Sequence, residues 1–274
     1  MVKKFIKIEF RRICRWQTLL AFIIFMAAFV HISIADKMDV VGPTASALEQ
    51  SNFFVSYLKA LGGPVHSFMP FIFPLVIILI FGDSLFLDYK TRFLQFSLSR
   101  ITHKEFIKYK TIAISLVSFI VTLGFQLVAF LYSIITSPYH LPTKPLVRGD
   151  IIPTVSLDLY VSNPFIYIFI VMILFSIISM VLTVSGLITS NIFKNIFAVQ
   201  SIPWIMYIFI GELLICAVNG TSIYYHISPI QMIGYCLFDE NYSFIEIFLY
   251  WIVLWIVSYF ATYKLFMRKF RLSF

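Results

Sequence analysis

Charge is scarce in this chain. Of its 274 residues only 12% are Asp, Glu, Lys or Arg, whereas 60% are hydrophobic and 18% aromatic, well beyond the roughly half that is apolar in a soluble domain. The net charge of +8 could suggest nucleic acid, but such a binder clusters its basic groups on a folded polar surface, which this composition cannot supply. Cysteine is scarce too: Cys14, Cys216 and Cys236 are too few and too scattered for a disulfide scaffold. The histidines, His31, His66, His103, His140 and His226, stand far apart, and none has a second histidine or paired carboxylates at helical spacing. That excludes a recognisable metal site or nucleophile constellation. A G-x-x-x-x-G-K-S/T phosphate loop is also missing, so this chain by itself is not a P-loop ATPase.

What the sequence does have is long apolar runs, with a mean hydropathy of +0.92. Crossing a hydrocarbon core takes about 20 residues of helix, and six runs qualify: Gln17 to Ala35, Ser67 to Leu87, Thr111 to Ser137, Pro164 to Ser190, Ile196 to Val218 and Ser243 to Tyr263. All six are expected to be helices, because a backbone in lipid must satisfy its own hydrogen bonds and the alternating pattern of a membrane barrel is absent. The predicted fold is therefore an all-α integral membrane protein with a single transmembrane domain over residues 1–274. Pro70 and Pro74 predict a kink near the start of the second span. The first run is longer than a signal peptide's core and is read as an uncleaved span.

Orientation follows from where Lys and Arg fall. All but Lys37, Lys59, Lys144 and Arg148 lie in the N-terminal segment, the 88–110 connector, the short connector at Lys194 or the C-terminal tail. This places both termini in the cytoplasm, in a plasma (inner) membrane of bacterial type. Residues 1–16 carry apolar positions Val2, Phe5, Ile6, Phe10, Ile13 and Trp16 at helical spacing, with Lys3, Lys4, Lys7, Arg11 and Arg15 over much of the rest, which predicts an amphipathic helix at the membrane interface. A plain positive stop explains the charges but not the stripe. Outside, "ALEQSNFFVSYLKALGG" predicts a short helix ending at a Gly pair. The third outer connector, 219–242, has no Lys or Arg and acids only at Asp239 and Glu240, and is expected to re-enter the membrane under the cover of protein. Cys216 and Cys236 fall on this side, read as unpaired small apolar residues with a bond between them as the alternative.

Two acids lie within spans. Asp83 stands close enough to the cytoplasmic edge for a structural role beside water or a basic partner, whereas Glu212 either lines a pathway or bonds to the neighbouring outer connector. The connector 88–110 is the most charged stretch, with six Lys or Arg between Tyr89 and Lys110 against the single acid Glu105. On a helix from Thr91 to Ile101, Phe93, Leu94, Leu98 and Ile101 share one arc, and Phe96 projects from the other side with Arg92 and Arg100 at i−4 and i+4. An exposed aromatic with flanking arginines is a protein-docking pattern. The simpler reading is that these arginines hold the connector at anionic headgroups.

This layout resembles the type-2 ABC exporter permeases. "DYKTRFLQFSLSRITHKEFIKYK" is similar to that family's acid, its L-L-S-R-P-I-S-R run and a Lys opening the third span, with Leu98, Ser99, Arg100, Ile101, Thr102 and Lys110 in register. "HISPIQMIGY" resembles its S-P motif through Ser228 and Pro229. The chain departs from the pattern in carrying Arg92 where Gly is frequent and Ile101 directly after Arg100 where Pro is found. The resemblance implies a non-enzymatic permease in contact with membrane lipids, paired with a second permease subunit as homo- or heterodimer and driven by an ABC ATP-binding subunit docked on the cytoplasmic face, for which the helical arc offers Arg92, Phe96 and Arg100 as the docking residues. That partner holds the ATP and Mg, so no cofactor and no nucleic acid is expected on this chain. The expected cargo is an amphipathic or hydrophobic molecule, an antimicrobial peptide or bacteriocin first. The alternatives are a lipid or drug exporter and a non-transporting membrane immunity or sensor protein.

Overall fold

A computed structural model describes residues 2–38, 52–63, 67–142, 152–216 and 227–271. Within these residues the chain is helical, without strands. The helices are α1 (Val2–Ile13), α2 (Trp16–Met38), α3 (Phe53–Gly62), α4 (Met69–Phe81), α5 (Ser84–Lys90), α6 (Phe93–Leu98), α7 (His103–Thr136), α8 (Leu157–Ser162), α9 (Pro164–Ile192), α10 (Ile196–Cys216) and α11 (Phe244–Arg271). Among the described residues six stretches are long and apolar enough to cross a membrane: Trp16–Ala35, Met69–Lys90, His103–Thr136, Pro164–Ile192, Ile196–Leu214 and Phe244–Lys269. The protein is a multi-pass helical membrane protein.

Helix α9 is the hub, packing on α7, α11, α10 and α4. Small residues let it approach its neighbours: Gly186 lies against the backbone of Gly82, and Ser190 Oγ donates to Gly82 O at 3.2 Å. In lipid, where apolar burial gives no preference for one helix over another, such small and hydroxyl-bearing contacts provide the close packing. Helices α10 and α11 are the least covered, with Phe197, Phe209, Leu249 and Phe260 among their exposed side chains.

Several details differ from the sequence expectation, each for a local reason. The third span begins at His103 rather than Thr111, because Thr102 and Glu105 form a capping box that starts the helix early. The connector helix covers only Phe93–Leu98, not Thr91 to Ile101. Thr91 still closes the last turn of α5 by bonding Leu87 O, and Arg92 then turns left-handed at φ 57°. The second span is interrupted at Gly82–Asp83. Pro70 occupies the first turn of α4, where no amide hydrogen is needed. Pro74 leaves the carbonyl of Pro70 without a helical donor, and the Tyr207 hydroxyl fills that place at 2.9 Å. The expected short helix is present as α3, capped by Asn52 Oδ1 on the amide of Val55 at 2.8 Å and buried along almost all its length. Leu48, within the stretch that predicts this helix, lies outside the described residues.

Candidate functional site

The connector between the second and third spans begins and ends in buried charge. Glu9 enters from α1, Ser84 and Asp88 from α5, and Lys110 from α7. On α1, Glu9 falls four residues after Phe5 and four before Ile13, so it sits on the apolar stripe. The stripe packs on protein: Phe5 meets Phe106 and Tyr109 of α7 at ring distances of 5.6 and 6.3 Å. Lys3, Lys4, Lys7 and Arg11 are exposed on the opposite arc.

The buried groups close into a square of alternating sign. Lys110 Nζ lies 2.7 Å from Glu9 Oε1 and 2.6 Å from Asp88 Oδ2. Arg12 lies 3.2 Å from Glu9 Oε1 and binds Asp88 Oδ1 through its other guanidinium nitrogen. The contact of Lys110 with Asp88 Oδ2 is a charge contact rather than an aligned hydrogen bond, since that oxygen has no hydrogen-bond partner. Ser84 Oγ fills the middle, accepting from Lys110 at 2.6 Å and Arg12 at 3.2 Å and donating to Glu9 Oε2 at 2.7 Å. Lys110 is 1% exposed, Glu9 3% and Asp88 0%, so these charges meet almost no water. Burial alone would raise the Glu9 carboxyl, but Lys110 and Arg12 outweigh it and hold the group below its ordinary range. Arg15 adds a second tie, 3.6 Å from the buried Asp83, which gives that acid the basic partner expected for it.

The short helix α6 stands directly on this base. Leu94 is buried, and Phe93, Leu98 and Ile101 pack against the core. Phe96 is 57% exposed, and the Arg100 guanidinium lies 4.4 Å from its ring centroid. Arg92 is exposed as well. Arg12, a corner of the square, reaches to 5.4 Å from the Phe93 ring. Tyr89 carries the connection onward, donating to Asn191 Oδ1 of α9 at 3.1 Å with Lys269 of α11 over its ring at 4.0 Å.

The other singled-out residues lie elsewhere. Ser228 is buried and donates to Gly211 O of α10 at 3.1 Å; Pro229 is half-buried after it. Glu212 is exposed on α10 near Phe209 and Leu213, and among the described residues it makes no ion pair. Cys236 is a free, buried thiol, which burial pushes up to about 12, and Cys14 is free and exposed. The Cys216 side chain lies outside the described ones. No three His, Cys, Asp or Glu side chains converge as a metal site among the described residues.

The charge square was not anticipated from sequence, although its signal was present. Glu9 is an acid on an apolar stripe within a strongly basic helix, and Lys110 falls four residues after Phe106 and four before Ile114. A charge placed on the buried face of a helix calls for a partner of opposite sign. No protein-family model and no curated protein matches this chain.

Proposed function

We propose that this chain is the membrane-spanning permease of an ATP-driven exporter, and that α6 is where a separate ATP-binding subunit docks from the cytoplasm. One observation carries the reading: α6 exposes Phe96 under the Arg100 guanidinium while its other side rests on the core and on a buried charge square. A connector that only held the chain at anionic headgroups needs positive charge, but it needs neither an exposed aromatic ring nor a rigid foundation. A central aromatic with arginine around it is a common anchor of protein interfaces. The cargo is an amphipathic or hydrophobic molecule, and the chain works as one of a pair. Exposed on an otherwise apolar helix face, Glu212 fits a place along the route between two such subunits.

We read the 227–242 segment as dipping into the membrane from outside. In support, its backbone carbonyls find donors from the protein: Tyr250 on Ile227 O at 2.9 Å, Trp251 on Met232 O at 3.1 Å, and the amides of Thr154 and Val155 on Leu237 O at 3.0 and 3.3 Å. Irregular backbone is tolerated at membrane depth when covered in this way.

The test is copurification of this chain, expressed in its own cell, with a protein that carries a phosphate-loop ATPase sequence. Phe96→Ala, and separately Arg92→Glu with Arg100→Glu, should each lose the ATP-binding subunit while the permease remains folded and monodisperse in detergent. If both variants keep that subunit at the parental ratio, α6 is a charged membrane anchor and the docking assignment is wrong.

A further inference from the structure

The square does more than neutralise buried charge, because its corners belong to three different helices. Glu9 and Arg12 lie on α1, Asp88 on α5 and Lys110 on α7. Asp88 and Lys110 also mark the two ends of the connector, one where the second span leaves the helical bundle and the other in the opening turns of α7. Their contact at 2.6 Å closes the connector at its base. Within that closed loop, Arg12 touches Asp88 on one side and the Phe93 ring of α6 on the other.

We infer that Glu9, Arg12, Asp88 and Lys110 form a clamp that binds α1 to both ends of the connector, so that movement of α6 is delivered to α1, α5 and α7 together. These are positioning residues: none reaches the exposed surface of α6, and they act through the helices they join. The inference rests on the exporter reading, since it requires a partner that pushes on α6.

Three physical points support the clamp over a purely structural role. First, the ring alternates in sign, so each acid touches both bases and each base both acids; displacing any one helix breaks at least two contacts. Second, the groups are shielded from water, where attraction between charges is much stronger than at a surface. Third, the tie spans segments far apart in sequence, Glu9 and Lys110 being 101 positions apart and Arg12 and Asp88 76. A connector that merely had to stay folded could bury apolar side chains here at no loss of stability. What alternating charge adds is one fixed geometry among three helices.

Neutrality and clamping can be separated by mutation. Lys110→Met leaves Glu9 and Asp88 facing only Arg12, and misfolding of that variant would be uninformative by itself. Lys110→Met combined with Glu9→Gln restores charge balance and leaves Arg12 on Asp88 and Phe5 on Phe106, but removes the charged tie between α1 and α7. The parental protein and this double variant are compared in lipid nanodiscs with the ATP-binding subunit bound. Two quantities are read: hydrogen exchange of the amides in residues 2–13, and ATP turnover relative to the isolated ATP-binding subunit.

The clamp predicts that the double variant is produced at parental yield and retains the ATP-binding subunit. It also predicts that α1 exchanges at least about tenfold faster, as a locally opened segment does, and that the permease no longer alters the turnover of the bound subunit. Parental exchange in α1 overturns the clamp while leaving the exporter reading intact. Faster exchange with a parental turnover effect shows that α1 is held by the square but transmits nothing, which also overturns the inference. A parental permease that retains no ATP-binding subunit overturns the exporter reading, and the transmission with it.

Discussion

The two ends of the helical bundle are fastened by different chemistry. At the connector end α1, α5 and α7 are joined by a buried square of charges. At the opposite end the turn-rich 227–242 segment is held by uncharged contacts. Tyr235 donates to Ser67 O at 2.7 Å, Trp251 to Met232 O at 3.1 Å, and Gly234 packs directly on Gly62. Aromatic rings fill in around α3, where Phe54 meets Phe165 at 5.0 Å and Tyr57 meets Phe130 at 5.3 Å. Neutral fastening is lost in small increments, since each hydrogen bond or ring contact contributes about 1 kcal/mol. Charged fastening fails abruptly, because removing one member strands its partner where water cannot reach it. The end we assign to an ATP-binding subunit is thus the end built to hold one geometry or lose it.

The sharpest way to break this contrast is Lys110→Met. With Lys110 gone, two buried carboxylates share one guanidinium, and a broken buried pair costs about 3–5 kcal/mol. Folded yield and the thermal midpoint in detergent should both fall steeply, and adding Glu9→Gln should recover most of the loss. If Lys110→Met alone melts like the parent, the square is not a dry ionic site.

At the opposite end the largest effect should come from shape rather than charge. Gly234 adopts φ +101°, and a Cβ there would press on the backbone of Gly62 and Leu61. Gly234→Ala should lower stability by about 1–3 kcal/mol, the usual range for forcing atoms into a packed site. Gly124, with open space around its Cβ position, is the control: alanine there should be neutral or slightly stabilising, as helix propensity favours it. Smaller again is Trp251→Phe, which keeps most of the buried ring and removes only the donor to Met232 O, for about 1 kcal/mol. Equal losses from Trp251→Phe and Lys110→Met would erase the distinction between the two ends.

Much of this architecture was legible in the sequence. Apolar run length marked six spans, and the i, i+3, i+4 spacing around Phe96 separated the covered residues Phe93, Leu94, Leu98 and Ile101 from the exposed ring. Element boundaries were harder to read. Helix α7 begins early because the hydrogen bonds of Thr102 and Glu105 favour helix before the apolar run starts, and hydropathy does not register a cap. The square was hidden for another reason. Its members lie in three segments that each read as ordinary basic or boundary sequence, and only folding shows that Glu9, Asp88 and Lys110 are mutual partners. The clue that could have been used is local: Glu9 stands where the α1 stripe called for an apolar residue.

The smallest expected effect concerns pH, and it sharpens the comparison because, among the described residues outside the spans, only the connector end carries a carboxyl held away from its ordinary range. Glu9 faces Arg12 on its own helix, Lys110 from α7, and Ser84 and Asp88 from α5. Its carboxyl is held below the ordinary value near 4.5, so the folded protein keeps Glu9 ionised more firmly than the unfolded chain does. For an acid depressed in this way, the stabilisation is fully present above the unfolded value and drains away as pH falls through the lower folded one. Between about pH 5 and 8, where Glu9 is ionised in both states, amide exchange of residues 2–13, corrected for the intrinsic pH dependence of exchange, should therefore stay flat. Below about pH 4 it should accelerate in the parent but not in Glu9→Gln with Lys110→Met, which has no carboxylate at that corner to protonate. A parental α1 that loosens between pH 6 and 8 would mean that a group other than Glu9 holds it, and the square would lose its place as the fastening of this end.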